Sequence, residues 1–260
     1  MIDLHMHCLP GLDDGAADMA EALAMARTAV EDGVSAVAAT PHWVPGLYEN
    51  TRHRILAAVE RFRGALDREG ISLRVHAGAE LHLDPSIPGA LVEGKLLTLN
   101  DGLRYVLIEL PGIFIPEHVE GFWFRLRALG FVPIAAHPER CITVVRKPDI
   151  LASWVRSGLL VQATAASLSG RFGPEVRRLC ERLLERGLVH VIASDSHGTV
   201  DRPPRLSEAR EAAARIVGEE AARAMVEEVP RRILAGEEVD PGLVRAGRPG
   251  RGGWWRRVWR

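Results

Sequence analysis

The chain opens with Ile2-Asp3-Leu4-His5-Met6-His7 and continues Leu9-Pro10-Gly11-Leu12-Asp13-Asp14-Gly15. Residues 2–5 read as a short buried strand. With one residue between them, His5 and His7 point to the same side of an extended backbone. Two imidazoles at a strand end, with acidic residues in the next loop, make half of a metal site, although a His-x-His pair alone is more often ordinary core or loop histidine. Five further apolar runs of strand length carry a similar signature. Residues 36–42 end in Thr40-Pro41-His42, residues 74–80 in Glu80 and residues 105–109 in Glu109. Residues 132–140 add His137, Glu139 and Arg140, and residues 191–197 close with Asp195 and His197. One buried imidazole or carboxylate can be an accident. Six strand ends so charged need a compensating cation, and a metal cluster supplies it.

Helical stretches separate these runs. Residues 18–32 are Ala-rich, with Asp18 as a cap and Gly33 as a stop, and residues 52–69 stop at Gly70. Residues 116–129, 148–157 and 174–186 each open on a proline and end before Gly130, Gly158 and Gly187, the usual asymmetry of helix ends. The β-α order recurs about seven times, with strands too apolar and short to be half-exposed edges, which predicts parallel strands with helical crossovers. The chain, at 260 residues, is long enough to close them into a barrel. In such barrels the chemistry sits at the C-terminal strand ends, where every candidate ligand falls. An open doubly wound sheet would scatter those ends across its width.

His5-x-His7, Asp14, Thr40-Pro41-His42, Glu80, Glu109, His137-Pro138-Glu139-Arg140 and Ser194-Asp195-Ser196-His197 resemble the PHP (polymerase and histidinol phosphatase) superfamily. Residues 9–16, residues 137–140, the string QATAASLSGRFG from Gln162 to Gly173, and Arg202-Pro203-Pro204 narrow the likeness. They resemble the bacterial CpsB/YwqE-type protein-tyrosine phosphatases of capsule and exopolysaccharide synthesis. The resemblance covers residues 1 to about 235. It implies an α/β fold, a distorted seven-stranded (β/α)7 TIM-like barrel, holding three divalent metal ions. Carried over by position, His5, His7, Glu80 and Asp195 would hold the first ion. Glu80 would bridge to a second, shared with Glu109 and His137, and Asp14, His42 and His197 would hold the third. Arg140 and Arg202 match the phosphate-binding arginines. Cys141 departs from the pattern, because relatives often carry an aromatic residue there.

The residues support such chemistry without the family name. Five imidazoles and four carboxylates, with no thiolate, suit manganese, iron or zinc over copper. Taken with the resemblance, manganese is the expected ion, with iron or zinc as alternatives. Ions of that kind acidify a bound water and hold phosphoryl oxygens. Arg140 and Arg202 would clamp the remaining oxygens as planar, permanently charged forks. A phenolate departs more easily than an alkoxide, so phosphotyrosine needs little help from a general acid. His118 and His82 are candidates for that acid, each also readable as a supporting or surface histidine. His53, His76 and His190 read as scaffold. Asp13 reads as a loop carboxylate bonded to backbone rather than a tenth ligand. A cysteine mechanism is suggested only by Cys180 to Arg186, which fits C-x5-R. Its intervening residues form an amphipathic helix with two acids and no glycine, whose backbone N–H groups are already used internally.

Composition fits one large domain, residues 1–240, followed by a tail, residues 241–260. At 47% hydrophobic and 26% charged the chain can bury a sizeable core. Three cysteines make no even disulfide framework, which suggests a reducing compartment. No run is long and apolar enough to cross a membrane, and a cleaved leader is not expected with a candidate ligand at position 5. Charge is uneven: the chain is −1 overall, residues 245–260 carry six arginines and no acid, and residues 1–244 are therefore −7. The tail is also rich in Gly and Trp, with Trp254, Trp255 and Trp259. It reads as a disordered solubilising extension or as a contact with an anionic membrane surface. Nucleic acid is not an expected partner, because the body is acidic.

Composition predicts a cytoplasmic protein, peripheral at the inner membrane face if the tail binds lipid. The resemblance implies a phosphomonoesterase whose substrate would be phosphotyrosine on a membrane-associated bacterial tyrosine kinase. A small-molecule phosphatase of the histidinol-phosphate type is the alternative within the superfamily. A proofreading phosphodiesterase is disfavoured by the lack of a second nucleic-acid-binding module. A noncatalytic metal-binding regulator on the same barrel is disfavoured by the full ligand set.

Overall fold

A computed structural model describes residues 1–239 and Val244. The Arg/Trp-rich segment 245–260 lies outside the described residues. Nine strands follow in chain order: β1 (Ile2–Met6), β2 (Ala36–Ala39), β3 (His42–Trp43), β4 (Arg74–Ala77), β5 (Glu80–His82), β6 (Tyr105–Glu109), β7 (Val132–Ala136), β8 (Leu160–Thr164) and β9 (Val191–Ala193). All ladders between them are parallel. Most of the apolar runs belong to strands buried on both faces, as parallel sheets wrapped by helices require, while the edge strand β4 keeps Arg74 exposed and His76 half-buried on one face. The fold is thus α/β with parallel sheets.

The strand count differs from the expected seven for a local reason. The run 36–42 breaks after Ala39 and resumes as β3, and the adjacent run 74–80 breaks after Ala77 and resumes as β5. Pro41 has no N–H to offer a ladder. Beside it, a Cβ on Gly78 would stand only 3.0 Å from Leu99 Cδ2 and 3.2 Å from Thr40 Cγ2. The chain bends at both points and pairing restarts with His42 opposite Glu80. The result is a three-stranded sheet, β1-β2-β4, and a six-stranded one, β3-β5-β6-β7-β8-β9. The free side of β1 meets the segment after β9 through a parallel bridge between Met6 and Ser196. The Asp195 N–H donates to His5 O at 2.9 Å and the His7 N–H to Ser196 O at 3.0 Å.

The helices are α1 (Met19–Glu31), α2 (Arg52–Arg68), α3 (Ile87–Val92), α4 (Val119–Ala128), α5 (Ile142–Arg146), α6 (Asp149–Arg156), α7 (Ala165–Leu168), α8 (Pro174–Glu185), α9 (Ser207–Val217), α10 (Glu219–Val226) and α11 (Glu228–Leu234). The Asp18 carboxylate caps α1 by accepting the Glu21 N–H at 2.9 Å, and Thr51 caps α2. Helix α4 begins later than the proline at 116 suggested, since Val119 N–H bonds back to Pro116 O in a turn. Cys180 lies inside α8, a continuous helix, and burial pushes its thiol pKa well up. Neither feature suits a cysteine nucleophile.

One carboxylate ties α1 to α9. Asp32, at the C-cap of α1, accepts the N–H groups of Leu206 and Ser207 and the Ser207 hydroxyl, all at the start of α9. It serves as an N-cap supplied from another helix. Asp32→Ala is expected to lower unfolding free energy by about 1–2 kcal/mol in urea titration, the cost of a lost cap. Bound metal per molecule should stay unchanged.

Candidate active site

The strands and the loops that follow them bring the candidate ligand types to the same end. His5 on β1 and His7 just beyond it are fully buried, as is Glu80 at the head of β5. His42 opens β3, Glu109 closes β6, and His137 and Asp195 follow β7 and β9. His137 and Asp195 both take left-handed backbone angles, with φ of 31° and 52°. Non-glycine residues rarely do so, and such strain gathers at functional sites.

The nine residues come together in overlapping sets. His7, Asp14, His42 and His197 lie within ligand distance of one another, as do His5, His7 and Glu80, then His5, His137 and Asp195, and finally His42, Glu80 and Glu109. Members are shared between sets: His7 belongs to two, and His137 keeps company with Asp195 while its Nε2 stands 2.9 Å from Glu80 Oε1.

The imidazoles are oriented from behind. His5 Nδ1 faces the Gln162 amide oxygen at 2.9 Å, and His7 Nδ1 faces Asp13 Oδ2 at 2.6 Å. Both partners are acceptors, so in the neutral rings the proton sits on Nδ1 and Nε2 keeps its lone pair. Those two Nε2 atoms face each other at 3.0 Å. Each also lies 3.3–3.6 Å from Glu80 Oε2 and Asp195 Oδ1. His42 Nδ1 meets Glu80 Oε2 at 2.9 Å, yet both atoms are buried without a hydrogen-bond partner, as is Asp195 Oδ1. With His5 and His7 neutral, lone pairs and carboxylate oxygens turn on a common space, which is what a cation site looks like from its ligands.

The electrostatics point the same way. Burial alone would lower the His5 and His7 pKa values, but facing carboxylates outweigh it and raise both, His7 well above the ordinary imidazole. Glu80 is held well below the carboxylate range, since His5, His137 and His42 overcome its burial. Asp14 is lowered by its bond to His197, and Asp195 is lowered against burial by His5 and His137. The cluster calls for positive charge at its centre. Nitrogen and oxygen donors with no sulfur fit a divalent ion of the manganese, iron or zinc kind.

Arg140 and Arg202 converge on the same spot. Arg140 Nη1 donates to Asp195 Oδ2 at 2.6 Å, and Arg202 Nη2 pairs with the same oxygen. Asp195 thus turns Oδ1 to the imidazoles and Oδ2 to the guanidiniums.

Several supporting residues were not visible in the sequence as such. Asp13 bonds to the backbone N–H groups of Gly15 and His42 as expected, but it also fixes His7. Asn50 ties the carbonyls of Leu12 and His42, and the Tyr48 ring stacks on His42 at 5.9 Å. Buried Asp3 accepts the N–H groups of His5 and Ser194, joining β1 to the end of β9. A Cβ on Gly15 would overlap the His7 carbonyl and side chain, so only glycine lets this loop fold over the imidazole. Of the candidate acids, His82 contacts Glu109 Oε2 at 3.1 Å, whereas His118 is exposed before α4. His53 is exposed, His76 bonds Asn100 at 2.9 Å, and His190 accepts the Val161 N–H at 3.1 Å. Cys141 is buried with Sγ on the Pro111 carbonyl.

The description of capsular polysaccharide synthesis proteins CpsB/CapC matches residues 1–235. The chain belongs to the CpsB/CapC family. Its relatives include the tyrosine-protein phosphatase YwqE of Bacillus subtilis, 38% identical over 202 residues, spanning 78% of this chain and 79% of that protein. Another is the tyrosine-protein phosphatase CpsB of Streptococcus pneumoniae, 28% identical, spanning 90% of this chain and 98% of that protein. A crystal structure from work on YwqE and CpsB, described as unique metal-dependent tyrosine phosphatases, superposes with a TM-score of 0.88. It is 34% identical and covers 92% of this chain and 96% of that one.

Within this CpsB/CapC site, Asp13 offers a direct check on the orientation of His7. Asp13→Asn keeps the size but weakens the carboxylate–imidazole bond, which is expected to reduce metal affinity roughly 10- to 100-fold. Metal titration followed by calorimetry measures it, and unchanged affinity would show that His7 needs no such partner.

Proposed function

We propose that this chain is a metal-dependent phosphatase of protein phosphotyrosine, acting on a membrane-associated bacterial tyrosine kinase in capsule or exopolysaccharide synthesis. The observation that carries the reading is the convergence of Arg140 and Arg202 on Asp195, directly against the clustered imidazoles and carboxylates. An anion-binding fork beside a cation-demanding cluster suits a phosphoryl group. The names of the CpsB and YwqE relatives support the substrate class.

We assign the nine residues to three ions, manganese first and iron or zinc as alternatives. His5, His7, Glu80 and Asp195 would hold one; Glu80, Glu109 and His137 a second; and Asp14, His42 and His197 a third. Divalent ions held there supply an acidified attacking water and positive charge for phosphoryl oxygens. The protein's own part is orientation. Asp13 and Gln162 keep the ligating lone pairs of His7 and His5 turned inward. Arg140 and Arg202 present planar donors to the phosphoryl oxygens, where charge builds in the transition state. A phenolate leaving group makes a strong general acid unnecessary, and none of the histidines outside the cluster is required for one.

The scaffold reading goes with this assignment. β2 with β3, and β4 with β5, count as one bent stave each, giving seven staves, and the Met6–Ser196 bridge joins the first to the last as a distorted barrel. Residues 1–240 form the catalytic unit on this reading. Arginines and tryptophans in residues 241–260 would hold a cytoplasmic enzyme near anionic lipid at the inner membrane face, where such a kinase resides.

Hydrolysis of a phosphotyrosine peptide should vanish with a strong chelator and return with manganese, while Cys180→Ser changes nothing. Arg140→Ala should keep its metal and lose roughly a hundredfold in turnover. The peptide should exceed histidinol phosphate in kcat/KM by at least about tenfold. Loss of activity on thiol alkylation with metal still bound would overturn the mechanism, and preference for histidinol phosphate would overturn the substrate class.

A further inference from the structure

The segment from Gln162 to Gly173 carries a distinctive sequence but supplies none of the nine ligands and neither clamp arginine. It nonetheless touches the machinery repeatedly. Gln162 orients His5. Thr164 N–H and Ser167 Oγ both donate to Oε1 of fully buried Glu139, at 2.9 and 2.7 Å, anchoring the residue before Arg140. The Arg140 guanidinium carbon lies 4.6 Å over the ring of Phe172. Arg171 donates to the Asp201 carbonyl, next to Arg202, and lines with Arg202 a cavity of about 80 Å3.

Geometry gives the Phe172 contact its meaning. A guanidinium carries five N–H donors in its plane, and one Nη1 of Arg140 is engaged by Asp195. A carboxylate placed to steady Arg140 further would consume more of those donors. An aromatic face attracts the cation through the flat side and leaves the edge donors free. It also restricts a long, rotamer-rich side chain before any anion arrives, so less freedom is lost on binding.

We propose that Phe172 is the positioning residue of the phosphate clamp, holding Arg140 by its face so that its edge meets the phosphoryl oxygens. The proposal rests on the reading of Arg140 as a phosphate ligand. Phe172 touches no reacting atom and acts through Arg140.

The test is calorimetric binding of inorganic phosphate to the metal-loaded full chain, with metal content and thermal midpoint measured on every variant. Phe172→Leu should weaken phosphate binding by about two- to fivefold, the scale of an exposed cation–π contact. Phe172→Trp, with a stronger aromatic face, should restore wild-type affinity. In an Arg140→Ala background, Phe172→Leu should have no further effect, since the partner it acts through is gone. Equal weakening with and without Arg140 would mean that Phe172 only packs the loop, and would overturn the proposal. So would wild-type phosphate affinity in Phe172→Leu while Arg140→Ala is impaired. Wild-type affinity in Arg140→Ala would instead remove Arg140 from the phosphate site, taking the earlier reading and this one together.

Discussion

Two imidazole nitrogens 3.0 Å apart, each ring backed by an acceptor on its far side, set the terms for this molecule. Gln162 and Asp13 accept at the Nδ1 positions of His5 and His7, so the facing Nε2 atoms meet lone pair to lone pair in the neutral rings. Buried oxygens of Glu80 and Asp195 close in on the same space. Such an arrangement holds together when positive charge occupies it, either as protons on the rings or as a cation. The raised pKa values of His5 and His7 and the lowered ones of Glu80 and Asp195 express that one demand from both sides. The arginines extend it outward, because Asp195 shares one carboxylate between the two kinds of cation.

The scaffold exists to bring these groups to one point. Parallel strands put their C-terminal ends on one side, and all but one of the apolar runs deliver an imidazole or carboxylate of the cluster there; β8 brings Gln162 behind His5 instead. Local departures from regular geometry serve the same end. The paired breaks at Thr40–Pro41 and Gly78–Ala79 bend two neighbouring strands so that His42 and Glu80 sit opposite one another. Left-handed backbone at His137 and Asp195 turns their side chains off the strand ends, at a conformational cost the surrounding bonds must offset.

Much of this was legible in the sequence because the signal is local. An apolar run ending in His, Glu or Asp declares both a buried strand and a charged terminus, and proline-in, glycine-out spacing marks the helices within a few residues. The parts that were not legible depend on partners far apart along the chain. Gln162 meets His5 across 157 positions, and Asp32 caps a helix 175 positions away through Ser207. Nothing about Phe172 alone marks it as a platform for Arg140. Of the expected distorted seven-stranded barrel, the structure shows an α/β fold with parallel sheets, in which breaks beside Pro41 and Gly78 divide two of the apolar runs and make nine strands of the described residues. That signal was in the sequence, since a proline inside an apolar run argues against an unbroken strand. Asp13 was read for its backbone bonds, and its grip on His7 needed the loop to fold over Gly15.

The central claim is that the clustered imidazoles and carboxylates are a metal centre beside a phosphate clamp. Anomalous diffraction at the manganese edge, from crystals of the full chain grown with manganese and phosphate, tests it most directly. The account predicts three anomalous peaks enclosed by His5, His7, Asp14, His42, Glu80, Glu109, His137, Asp195 and His197, with phosphate between them and the guanidiniums of Arg140 and Arg202. A pocket without anomalous signal, its imidazoles closed on the carboxylates and phosphate bound elsewhere, would contradict it.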